Sequence, residues 1–219
     1  SRPTDMGGSD GTVDNPTIDS YNNLQYHTPA DMIPFGGSFK LAYAPDLDAY
    51  GSGNNGGGTG QTSSGIGSTA YAGRSATEMQ ISFDAIPMAE GLKVGASYFE
   101  RDQQGATVKL DADAQSGAYY ATYAMGNISL GYSKAYNQLQ VADSANTGTD
   151  YYEQTNTSIA YAINDDISVS YEVEKSERVG VDTSTATVEQ KSTGLQLAYN
   201  MGGMTVAVAR NTHDNPSYS

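Results

Sequence analysis

Cysteine and tryptophan are both missing from the 219 residues. Without cysteine there is no disulfide framework and no thiolate zinc site. Large apolar residues are scarce. Hydrophobic residues make up 37% of the chain and the mean hydropathy is −0.50, less than a conventional two-sheet sandwich wants for its core. Basic residues are few as well, 11 against 25 acidic ones for a net charge of −14. That balance argues against nucleic acid as a partner, because phosphate contacts need a basic surface. No stretch approaches the run of about twenty apolar residues that a membrane helix requires. Proteins that cross a membrane with strands are untouched by this absence, since barrel strands are short and only half apolar. The chain also opens without a signal peptide. Ser1 stands in polar, loop-like sequence, so the N-terminus reads as removed by processing or truncation.

What the chain does contain is 25 Gly, 17 Tyr and a regular alternation. Low hydrophobicity with high net charge suggests disorder, but disordered chains show neither many tyrosines nor period-two patterning. The pattern is clearest from Ser158 to Lys175, SIAYAINDDISVSYEVEK. Ile159, Tyr161 and Ile163 alternate with small residues before the turn. Ile167, Val169, Tyr171 and Val173 alternate with Ser168, Ser170, Glu172 and Glu174 after it. Asn164-Asp165-Asp166 is turn chemistry, so this is a β-hairpin with one apolar and one small or polar face.

Four more hairpins are variants of it. The first has arms Leu24–His27 and Ser38–Ala44, with a single helical turn expected near Ala30 to Ile33. The second runs from Ala76 to Glu100, the third from Ala118 to Tyr136, and the fifth pairs Leu195–Tyr199 with Met204–Val208 across NMGG. Ten strands of roughly seven to twelve residues result, joined by short turns inside the later hairpins and long polar linkers between hairpins. Those linkers are Arg101 to Ser116, Asn137 to Asp150 and Glu177 to Val188. A meander whose two ends differ in this way is the plan of an outer-membrane barrel. The expectation is a single all-β domain over residues 1–219, an antiparallel up-and-down transmembrane β-barrel located in the outer membrane. Residues 1–22 read as loop, and residues 45–75 as a long Gly-rich loop on the outer surface. The alternative is a soluble β-sandwich or β-solenoid serving as a surface adhesin.

Candidate chemistry is sparse. Gly51 to Gly56 matches a dinucleotide fingerprint by letter, but GGTGQTSSG follows where a helix is needed. Asp111 and Asp113, with Asp143 or Asp150, offer hard oxygen ligands for calcium without any recognised ligand spacing; solvated loop acids are the plainer reading. His27 and His213 have no partner at ligand spacing. No nucleophile-elbow context appears, so neither enzymatic activity nor a cofactor is expected. The tyrosines are more telling. Tyr98, Tyr132, Tyr161, Tyr171 and Tyr199 fall on the apolar register and suit the interface girdles of a barrel. On the opposite register, Asp84, Lys93, Glu172 and Glu174 are the candidate pore-lining charges, because charged walls set selectivity in channels.

The stretches ISFDAIPMAEGLKVGASYFE, YYATYAMGNISLGYSKAY, SIAYAINDDISVSYEVE and LQLAYNMGGMTVAVAR resemble the general-diffusion porins of Gram-negative bacteria, particularly the alphaproteobacterial kind. The resemblance covers Leu24 to Asn211 as a repeated pattern and implies a sixteen-stranded, usually trimeric, passive channel. Its partners would be outer-membrane lipid, small hydrophilic solutes and ions, and two further copies of the chain. Two departures stand out: such porins close on a C-terminal aromatic, whereas this chain ends NTHDNPSYS, and ten strands fall short of sixteen. An internal section of a larger barrel is the expectation, with weak cation selectivity from the acidic excess.

Overall fold

A computed structural model describes residues 23–29, 31–45, 75–101, 114–138, 149–180 and 187–215. Ten strands follow one another: β1 (Leu24–His27), β2 (Ser38–Ala44), β3 (Ala76–Phe83), β4 (Leu92–Arg101), β5 (Ala114–Met125), β6 (Ile128–Gln138), β7 (Thr149–Ala162), β8 (Ile167–Gly180), β9 (Val188–Met201) and β10 (Met204–Asp214). Each pairs with the next, and spatial order is sequence order. A single meandering sheet sets aside both the two-sheet sandwich and the solenoid. β1 and β10 each pair on one side only, and among the described residues no pairing joins them.

Cross-strand register shows why this sequence makes this sheet. Val169 lies between Tyr161 and Leu197, and Leu197 lies opposite Val208. Followed from strand to strand, Ile81, Phe83, Val94, Ile128, Leu130, Ile159, Ile167, Val169, Leu197 and Val206 all fall on one face. A slip of one residue in any strand would move its apolar set to the other side.

Burial is inverted relative to a water-soluble domain. Leu130, Ile159, Leu195 and Leu197 are exposed, as are Tyr132, Tyr161, Tyr171 and Tyr199. The opposite face holds the buried residues: Ser116, Asn137, Glu174, Ser176, Gln190 and Ser192, beside a small apolar cluster of Ala44, Ala76 and Phe99. A large apolar face left open is the pattern a lipid solvent permits and water penalises.

The short turns are built from local chemistry. Gly126, at φ 55°, opens the two-residue turn between Met125 and Ile128. Gly202 and Gly203, at φ 49° and 105°, occupy both central positions of the β9–β10 turn, where a side chain would be strained. These turns are also laced together. Ala85 N–H donates to Phe35 O at 3.0 Å, Ala124 to Gly91 at 3.0 Å, Ala162 to Asn127 at 2.8 Å and Asn200 to Asp166 at 2.8 Å. Consecutive hairpins are thus tied along that rim.

Two expectations need correction. In place of a helical turn near residues 30–33, Met32 N–H donates to Pro29 O at 3.3 Å and Asp31 adopts φ 64°. That left-handed residue makes a turn that cannot continue as helix. Strand lengths also exceed the expected range: β7, β8 and β9 each have 14 residues, while β1 has four. Asn137 and Gln138, Thr149 and Asp150, Glu177 to Gly180, and Val188 belong to strands instead of linkers. Here both faces are polar, and the alternation that marks a strand lower down is absent.

Candidate functional site on the polar face

The polar face is arranged in rows that run across the sheet. One row passes through Ser133, Asn156, Glu174, Ser192 and His213, on β6 to β10 in turn. The row beside it holds Lys93, Thr122, Gly131, Ser158, Glu172, Gly194 and Asn211, on β4 to β10. Glu172 and Glu174 are therefore near neighbours on one strand, each between small or polar residues. Glu174 is 6% exposed, deeper than an acidic residue on a plain solvated face. Lys93 shares the row of Glu172 but sits four strands away, about 19 Å at the usual strand spacing of roughly 4.8 Å. Asp84 lies outside the sheet, one residue past the end of β3, exposed on the short-turn rim.

So of the four candidate charges, the fold brings Glu172 and Glu174 together. Lys93 stands apart on the same face, and Asp84 is at its edge. Register adds residues that sequence patterning did not single out. Asn156, opposite Glu174, buries its Oδ1 with no hydrogen-bond partner among the described residues. His213 Nδ1 lies 2.9 Å from Ser192 Oγ, and Ser192 is 1% exposed. His213 thus caps the polar row at its β10 end. Only the pairing of β8, β9 and β10 places Glu174, Ser192 and His213 side by side; their spacing in sequence carries no such signal.

Among the described residues no group of three or more His, Asp or Glu side chains is placed to hold a metal ion. Asp150 is the second residue of β7, whereas Asp111, Asp113 and Asp143 lie outside the described residues, as do residues 46–74 of the long loop with its glycine motif. His27 is exposed on β1, the edge opposite His213.

No protein-family model matches the chain, and no curated protein matches it. Among solved structures, it is similar to OmpTdeltaL8, a loop L8 deletion mutant of OmpT, an outer membrane protein of Vibrio cholerae. The TM-score is 0.51 at 14% sequence identity, over 88% of this chain and 57% of that one. The fold is that of an outer-membrane β-barrel. Its ten strands form an up-and-down antiparallel wall with one apolar face, the side that such barrels turn to lipid. In such a barrel the polar face with Glu172 and Glu174 turns inward. This chain spans just over half the length of the solved barrel it matches. The neighbour also corrects the expectation of a chain without enzymatic activity. One fold hosts unrelated functions, and likeness of fold at this identity leaves enzyme status open.

Proposed function

We propose that this wall lines a water-filled pore through which small hydrophilic solutes and ions diffuse passively, with a weak preference for cations. The observation that carries the reading is the pair Glu172 and Glu174 on the inward face of β8. Glu174 is buried among Asn156 and Ser192, and the nearest described inward lysine along the Glu172 row is four strands away. Arg178 higher on β8, Lys40 and Glu78 are further inward charges, and Phe99, Tyr120 and Tyr152 are the larger inward side chains. Much of the rest of the inner face is Ser, Gly, Ala, Thr, Asn and Gln, which leave room for water and bind no solute tightly. Conduction needs that weakness, since a solute must leave as readily as it enters. The net charge of −14 adds a field of the same sign.

The proposal includes a larger ring. The one-sided edges at β1 and β10 are unstable if left bare in a membrane, and a sixteen-stranded barrel that assembles as a trimer would pair them with further strands. The test is the zero-current potential across a planar bilayer under a KCl gradient, at two ionic strengths. The expected sign is cation-selective. It should grow as salt falls, because screening beyond about 10 Å sets in near 0.1 M. Replacing Glu172 and Glu174 together by Gln should reduce the potential at low salt. A potential of the anion-selective sign, or no conductance at all, would defeat the proposal.

A further inference from the structure

On the lipid-facing side, β4 to β7 frame a groove of about 600 Å³ that the pore reading does not use. Its floor is made of small residues, Ala96 and Gly117 among them. Its walls include four tyrosines, Tyr98, Tyr119, Tyr136 and Tyr151. The ring of Tyr136 lies across Gly117 so closely that a Cβ there would come within 2.8 Å of its Cε1. The charged lining is one cation and two carboxylates: Lys134, Glu153 and Asp150, with Lys134 Nζ 2.6 Å from Glu153 Oε1. Tyr98 donates its hydroxyl to Glu100 Oε2 at 2.7 Å. On the short-turn side of the groove, the same face continues as Val94, Ala121 and Leu130.

We infer that this groove seats the headgroup of a zwitterionic membrane lipid, one that carries an ammonium beside a phosphate. The aromatic faces and the two carboxylates attract the ammonium, as tyrosine walls do for quaternary amines. Lys134 meets the phosphate, and an acyl chain runs along Val94, Ala121 and Leu130. Charge decides among lipids. A headgroup with a net negative charge sets that charge against Glu153 and Asp150 with a single lysine to offset it, whereas the zwitterion pairs with both signs present. The groove opens on the face that the barrel turns to the bilayer, where a lipid is the neighbour at hand.

The experiment is native mass spectrometry of the intact protein in micelles doped with equal phosphatidylcholine and phosphatidylglycerol. Wild type should retain the choline lipid about tenfold over the glycerol lipid, a difference the size of one or two such polar contacts. Asp150→Asn with Glu153→Gln should bring the two to parity, and the remote Val206→Ala should leave the preference intact. If the double variant fails to fold, competition on wild type decides: excess soluble phosphocholine should displace the bound lipid. Equal retention by wild type, a preference that survives the double variant, or no displacement by phosphocholine would each overturn the inference. So would cross-linking of Tyr136 between two copies with no lipid retained, which would make this face a contact between protomers.

Discussion

Asn164 closes the β7–β8 turn with a side chain doing what backbone usually does. Its Oδ1 accepts from Asp166 N–H at 2.9 Å and from Ile167 N–H at 2.7 Å, while Ile163 N–H donates to Ile167 O at 2.8 Å. This is an Asx turn, the local geometry that makes Asn common at such corners. Asn164→Ala should destabilise the protein by about 1–2 kcal/mol, since two exposed hydrogen bonds at roughly 0.5–1.5 kcal/mol each are lost. Asn164→Asp keeps both acceptor contacts and should cost far less. Equilibrium unfolding in urea from lipid vesicles measures both, and equal losses would show that the side chain is not what holds the turn. Asn-Asp-Asp was readable as a turn from sequence because its chemistry is local. The bond between Ser192 and His213 was not, because two strands must first find their register.

At the scale of strands, the face exposed to lipid sets the cost of substitution. Leu197 is 50% exposed and sits between Val169 and Val208 in the middle of the apolar band. Leu197→Arg should cost about 2–4 kcal/mol in a bilayer, the range for a cation near the midplane of a barrel wall. The adjacent inward change Ala198→Ser should be close to neutral in the same refolding titration. Equal costs for the two would contradict the assignment of faces. Every hairpin arm was legible where one side of the strand meets lipid and the other water, because that contrast forces a period of two. Beyond the band the contrast ends. Lys134, Lys175 and Lys191 occupy one outward row, and Glu153, Glu177 and Glu189 the next. Lys134 pairs with Glu153 at 2.6 Å and Lys175 with Glu189 at 3.5 Å. With polar side chains on both faces Glu177 reads as linker, although the ladder continues through it. Glu172 and Glu174 were legible as inward charges by parity alone. The groove on β4 to β7 was not, since its residues are gathered from four strands.

At the scale of the molecule, the order of the sheet matters as much as its faces. Among the described residues every strand pairs only with its neighbours in sequence, so no long-range crossover locks the wall. In the proposed pore the acidic pair on β8 acts on the lumen as a whole, and its effect on selectivity should fade in high salt while the unitary conductance persists. The lacing bonds along the short-turn rim add one backbone contact to ladders that already join each hairpin to the next. These ladders match those inside a hairpin: β8 and β9 register over twelve residue pairs, β9 and β10 over eleven. A wall of this kind has a grain. Pulled from the β10 side by the tip of a force microscope, it should peel and not burst, releasing β10 before β9 yields. The length freed from Met204 to Asp214 is about 39 Å at roughly 3.5 Å per residue, and the later steps should come strand by strand as tension travels towards β1.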